Sequence, residues 1–200
     1  MWADKRRLFK RREVLIALLV LVLGTSCLLF FKFFKRVQHR KADMTKLPMF
    51  RECMEELAET IIPETDTPGA KSAGVADDVF QQVTNCLGEW DQAVFLQGLV
   101  ELDEYCTRKF GRVFVACDGP RRLQTLNHFE SVATFGGKFV VKVRNRLLGK
   151  PFISLVKELC VISYCRSMLG ATQALEYDPI PARYDACVAI KEKQRSWALA

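Results

Sequence analysis

The stretch ETIIPETDTPGAKSAGV, Glu59 to Val75, decides how this chain divides into elements. Pro63 and Pro68 fix φ and lack a backbone donor, so no continuous helix passes through. Gly69 and Gly74 permit turns that other residues resist. The stretch holds no His and no Cys, and its acids Glu64 and Asp66 have no evident partner in the sequence. It reads as an ordered connector between two helices. Asp66 and Thr67, beside Pro68 and Gly69, have side-chain oxygens suited to capping the loop's own backbone.

Both flanks are helical. In PMFRECMEELAETII, residues 48–62, Phe50, Cys53, Met54, Leu57 and Ile61 recur on one helical face. After the loop, ADDVFQQVTNCLGEW repeats the pattern with Val79, Phe80, Val83 and Leu87, and Asp77 or Asp78 suits the helix start. From Asp91 a third helix places Leu99, Leu102 and Cys106 together, and Gly111 stops it. GRVFVACDGP has no partner strand and reads as a connection that drops Phe114 into the core. RRLQTLNHFESVATF continues helically through Leu123, Leu126, Phe129 and Val132 or Ala133. GGKFVVKVRNRLLGKP is ambiguous but compatible with a helix, and FISLVKELCVISYCRSMLG is the clearest late helix, ending at Gly170. The last thirty residues, with Pro179 and Pro181, read as an extended, ordered tail. The expected class is all-α: a compact helical domain with an irregular C-terminal tail.

Charge separates this domain, residues 42–200, from a leader, residues 1–41. The chain carries +7 overall, but the leader holds eleven Lys/Arg against Asp4 and Glu13, which leaves the domain at −2. A nucleic-acid footprint requires the positive charge on the domain, so nucleic-acid binding is not expected. Within the leader, Val14 to Phe31 is an uncharged apolar run of eighteen residues, roughly 27 Å of helix, close to the thickness of a hydrocarbon core. Basic segments flank it, as for a membrane-spanning or export-signal helix. Arg11 and Arg12 ahead of the apolar run match a twin-arginine export signal. No small-x-small cleavage site follows it. LGTSC is similar to a lipoprotein box ending at Cys27, but Gly24 stands where Leu is usual and Cys27 lies inside the run, which favours a retained anchor over lipidation.

Seven cysteines lie beyond the apolar run: Cys53, Cys86, Cys106, Cys117, Cys160, Cys165 and Cys187. They show no CxxC or CxxH spacing, and only His39 and His128 could add imidazole ligands, so a zinc or iron–sulfur site is not expected. Most fall on apolar helical faces, where a thiol acts as a small hydrophobe. Export would permit disulfides, and Cys187 in the irregular tail is where a staple would contribute most. Catalytic signatures are missing: no GxGxxG after a strand, no GxxxxGK[ST], no HExxH, no GxSxG. His128 reads as a structural histidine, and no catalytic or cofactor-binding residue is assigned.

In combination these segments resemble the gluconate 2-dehydrogenase subunit 3 family. The Glu59–Val75 stretch is similar to that family's loop signature. GLVELDEYCTRKFGRVF resembles its central segment through Leu102, Asp103, Phe110, Gly111 and Phe114. The C-terminal segment matches at Lys157, Glu158, Leu159, Tyr164, Ser167, Gly170, Tyr177, Pro181, Tyr184 and Cys187, with Trp197 as the terminal aromatic. Cys165, Arg166 and Met168 depart from it, where an aromatic, Thr and Glu are common. The resemblance covers about residues 48–197. It implies a subunit without an active site of its own, bound to a large flavoprotein of the glucose–methanol–choline type. That partner would hold FAD and oxidise a sugar or sugar acid; in this family a multihaem cytochrome c often takes the electrons, and its presence here stays open. The resemblance also implies twin-arginine co-export of the folded partner and a place at the bacterial inner membrane, with the domain facing the periplasm. In that setting Asp66, Thr67, Pro68 and Gly69 either set the second helix or contact the large subunit. The alternative is a stand-alone single-span membrane protein with a helical scaffold domain.

Overall fold

The computed structural model describes residues 43–178, together with residues 14, 16, 24, 180, 187, 189–190 and 192–198. Arg11, Arg12, Cys27 and most of the apolar run lie outside the described residues. Among the described residues no helix is long and apolar enough to cross a membrane. The chain divides into two units, Met1–Lys41 and Ala42–Ala200, and the helical body belongs to the second.

Six α-helices make up that body among the described residues: α1 (Arg51–Ile61), α2 (Val75–Cys86), α3 (Glu89–Phe110), α4 (Gly119–Thr134), α5 (Gly137–Leu148) and α6 (Phe152–Arg166). A 3₁₀ segment, Met44–Phe50, leads into α1, a shorter one, Phe114–Ala116, joins α3 to α4, and a π-turn, Gly170–Ala174, follows α6. No strand forms among the described residues; Glu176 and Trp197 make one isolated parallel bridge in the tail. The class is all-helical, as the periodicity predicts.

Helix α6 is the central element. It buries Phe152, Ile153, Leu155, Val156, Leu159, Cys160, Ser163 and Tyr164, and it packs against α2, α3 and α4 and touches α1. A helix apolar on most sides has to be surrounded. Its close approach to α3 rests on Gly98: a Cβ there would lie 2.1 Å from the Phe152 ring. Phe152 in turn meets Phe95 and Phe129 edge-on, at 6.1 and 6.2 Å between centroids, the arrangement aromatic rings favour. The buried hydroxyl of Ser163 accepts from Gln82 Nε2 at 2.8 Å, which removes the cost of an unpaired polar group in the core.

Several local expectations hold. Cys53, Met54 and Leu57 of α1 and Val79 and Val83 of α2 are buried. Phe114 is fully buried, and its N–H donates to Asp103 Oδ1 at 3.0 Å. Helix α3 ends at Gly111 in the left-handed region, with its N–H on Thr107 O, as a C-cap glycine does.

Others are corrected. Helix α2 starts after Gly74, not at an aspartate cap; Asp77 and Asp78 sit in its first turn, where they oppose the positive end of the helix dipole. Asp77 also pairs with Arg51 at 2.7 Å, tying the starts of α1 and α2 together. Helix α3 begins at Glu89, two residues before Asp91. On α4 the buried face carries Thr125, Leu126 and Ala133, whereas Leu123 and Val132 are exposed. The face is rotated because Arg122 turns inward to pair with Glu56 of α1. Helix α6 ends at Arg166 rather than Gly170: the Ser167 hydroxyl accepts from Gly170 N at 3.0 Å and redirects the chain into the π-turn.

A candidate partner-docking loop

The connector from Ile62 to Gly74 is ordered by a carboxylate that belongs to the preceding helix. Glu59, in the last turn of α1, receives the N–H of Glu64 on Oε1 at 2.8 Å and the N–H of Lys71 on Oε2 at 2.9 Å. One side chain thus binds both limbs of the loop. Gly69 lies against it, and a Cβ at that position would fall 2.5 Å from both Glu59 oxygens and 2.8 Å from Glu64 N. Backbone bonds complete the fold of the loop: Ala70 N to Ile62 O at 2.9 Å, and Val75 N to Ala70 O at 3.1 Å.

Three further braces reach it. Tyr164 of α6 donates its hydroxyl to Pro68 O at 2.6 Å. Ser72 Oγ donates to Glu64 Oε2 at 2.9 Å. Lys71 Nζ donates to Glu56 Oε1 at 2.7 Å, and the other oxygen of Glu56 takes the Arg122 guanidinium. Arg122 also donates to Val115 O at 2.7 Å, so Glu56 links α1, the loop and α4. The Lys71 hydrogen bond, with the nearby Arg122 charge, holds the Glu56 carboxyl below the usual carboxylate range against the opposing effect of burial.

The four loop residues singled out by sequence separate into two pairs. Asp66 is exposed and accepts only the Thr65 hydroxyl, at 3.0 Å. The capping expected of Asp66 and Thr67 is corrected: Thr65 fills that role, with its N–H on Thr67 O at 3.0 Å and its hydroxyl near Thr67 N and Thr67 Oγ1 at 3.5 Å. Pro68 supplies the carbonyl for Tyr164, and Gly69 is buried under Glu59. Asp66 is therefore the outward edge of the loop, half-buried Thr67 follows it, and Pro68 and Gly69 are its seat. Sequence reasoning missed Glu59, Glu56 and Arg122. One signal pointed to the first: an acid in the last turn of a helix opposes the macrodipole, so Glu59 needed donors from elsewhere.

A groove of about 620 Å³ lies between α3, α4 and the start of α6. His128 stacks on Tyr105 there, 4.4 Å between centroids and 11° between planes, and Phe129 and Phe152 continue the wall. Glu101, Glu104, Arg108, Arg144 and Lys150 rim it, and no Ser, Thr or Cys lines it. Arg144 is engaged with the carbonyls of Val132 and Ala133. His128 thus has an aromatic neighbour rather than a nucleophile. Among the described residues no group of three or more His, Cys, Asp or Glu could hold a metal ion.

The cysteines are all unpaired thiols among the described residues. The staple expected at Cys187 is not found: Cys187 is exposed and free. Cys53, Cys106, Cys117 and Cys160 occupy buried apolar positions, so packing uses them as small hydrophobes. Burial pushes the Cys106 thiol up to about 11 and the Cys160 thiol up to about 12, and it raises that of Cys53 further still.

The described residues form a small all-helical domain with one heavily braced surface loop. Residues 50–182 match the family described as Gluconate 2-dehydrogenase subunit 3. The match takes in more than half of the chain, including the whole loop, and the chain belongs to that family. It is thereby similar to an accessory subunit of a dehydrogenase complex, and membership implies association with a larger dehydrogenase subunit. The match stops short of Tyr184, Cys187 and Trp197. No curated protein and no solved structure matches the chain.

Proposed function

We propose that this chain is the non-catalytic small subunit of a membrane-associated, flavin-dependent dehydrogenase that acts on a sugar or sugar acid. It binds a large glucose–methanol–choline-type subunit, which holds the FAD; co-purification with the full chain decides whether a multihaem cytochrome c joins the complex. The family match over residues 50–182 carries this reading. Helix α1, the loop and α6 supply a pre-ordered surface for such a partner, with Asp66 and Thr67 at its edge. Pre-ordering matters because binding then costs little loop entropy.

The leader completes the proposal. Arg11 and Arg12 ahead of the apolar run form a twin-arginine signal that takes the folded, cofactor-loaded partner across the inner membrane, and the run from Val14 to Phe31 remains as the anchor. The domain then faces the periplasm. A flavoprotein that folds around its cofactor in the cytoplasm needs a route that accepts folded cargo.

Affinity purification of the full chain should bring down a large flavoprotein with the spectrum of bound FAD; a preparation without one counts against the proposal. Replacing Arg11 and Arg12 by Lys should retain both subunits in the cytoplasm, and normal export would remove the twin-arginine role. Asp66→Ala should leave thermal stability unchanged and weaken partner capture. Loss of stability with capture intact would make the loop a turn and not an interface.

A further inference from the structure

The positive charge of the helical domain is gathered on one element. Between Glu130 and Glu158 there are six basic residues and no acid, whereas the rest of residues 42–200 carries 13 basic and 21 acidic side chains. The two acids that bracket this stretch are already paired, Glu130 with Lys157 at 2.7 Å and Glu158 with Lys150. Four of the six basic residues lie on α5, which is set off by glycines of positive φ: Gly136 before it, Gly137 at its first position and Gly149 after its last turn.

Helix α5 lies at the edge of the body and packs principally on α4. Arg144 pins it there by donating to the Val132 and Ala133 carbonyls at the C-terminal end of α4. Lys138, Lys142 and Arg146 recur every four residues and form one exposed row. None of the three makes an ion pair among the described residues. Exposed apolar side chains share this stretch: Val143 on α5 at 41% and Phe135 just before it at 80%. Cations and large apolar side chains exposed together on and just before a peripheral helix have the composition of an element that lies in a headgroup layer.

From this we infer that α5, with Phe135, is a surface that seats on an anionic lipid bilayer. The lysine and arginine heads meet lipid phosphates, while Phe135 and Val143 enter the headgroup–acyl boundary. Charge complementarity selects this occupant, since the row is cationic on a domain that is otherwise acidic. Three cations near an anionic surface strengthen local seating on the order of 100-fold at physiological ionic strength. The inference does not depend on a dehydrogenase partner or on the export route.

Its test uses the full chain reconstituted in vesicles, with local amide hydrogen exchange as the readout. The apolar run Val14–Phe31 is present in every sample, so bulk partition does not report on α5. In phosphatidylcholine vesicles containing about 30% phosphatidylglycerol, amides of residues 135–146 should exchange more slowly than in phosphatidylcholine alone. High salt should abolish the difference. K138E/K142E/R146E should abolish it too, with exchange in α3 and α6 unaltered to show that the body stays folded. Phe135→Ser should weaken it in part. Equal exchange in both vesicle types overturns the inference. Slowing that appears only when a larger dehydrogenase subunit is added also overturns it, and makes α5 a protein-docking face.

Discussion

Removing the Glu59 carboxylate should loosen the loop more than any other single change in it. The side chain is half-buried and accepts two backbone N–H groups, from Glu64 at 2.8 Å and Lys71 at 2.9 Å. Hydrogen bonds to a charged group contribute about 1.5–3 kcal/mol each. Two of them set an upper bound near 6 kcal/mol, and water that reaches the half-open loop after truncation lowers the net loss to about 3 kcal/mol. For a domain of this size that corresponds to a fall in Tm of roughly 6–12 °C. Glu59→Gln should cost about half as much, because the amide keeps one acceptor and turns an N–H toward the other donor. Thermal unfolding of Glu59→Ala, Glu59→Gln and Asp66→Ala, followed by circular dichroism, orders the three. Exchange of the Glu64 and Lys71 amides locates the effect. Asp66→Ala should shift stability by less than about 0.5 kcal/mol, as an exposed change does. If Glu59→Ala and Asp66→Ala prove equal, or if the Glu64 and Lys71 amides stay protected without the carboxylate, Glu59 is not what orders the loop.

Three further outcomes follow from the packing and the titrating groups. Gly98→Ala places a methyl 2.1 Å from the Phe152 ring and should destabilise by about 1–3 kcal/mol in urea titration, as overpacking does; an unchanged midpoint would mean that α3 and α6 are not in close contact there. The folded Glu56 carboxyl titrates below its ordinary value because of Lys71 and Arg122, so its stabilising contribution is complete above the ordinary carboxylate range and is lost as pH falls through the lowered value. Glu56→Gln should therefore flatten the acid limb of the stability–pH profile while leaving the slope near neutral pH alone, and a parallel acid limb would remove Glu56 from that role. Thiol labelling of the native chain near pH 8 should modify Cys86 and Cys187, which are exposed, and leave Cys53, Cys106 and Cys160 unlabelled until the chain unfolds. Rapid labelling of Cys160 in the native state would contradict its burial in α6.

Much of the fold was legible because burial leaves a periodic trace. Cys53, Met54 and Leu57, then Val79 and Val83, then Leu99, Leu102 and Cys106 recur at helical spacing and are buried together. Pro63 and Gly111 mark helix ends through backbone geometry alone. Leu123 and Val132 show where such reading fails. Periodicity finds an apolar face, but on α4 the Arg122–Glu56 pair sets the rotation, and its partner lies 66 residues earlier in the chain. The loop shows a related limit. Its turn residues were visible as Pro and Gly, yet its order comes from Glu59, Lys71, Glu56 and Tyr164. The first two of these are twelve residues apart in sequence, and Tyr164 is 96 residues from the Pro68 carbonyl it meets.

By itself, then, the sequence determined the helical class, the position of the connector, the separation of a basic apolar leader from a near-neutral domain and the family resemblance. The first three rest on local periodicity, backbone restriction or composition, which are properties of neighbouring residues; the resemblance rests on the order of motifs along the chain. Tertiary structure alone decided which face α4 buries, which carboxylate holds the loop, and that Pro68 and Gly69 seat it while Asp66 faces outward. Those outcomes depend on donors and acceptors brought within 3 Å from distant parts of the chain, and no local pattern records such meetings.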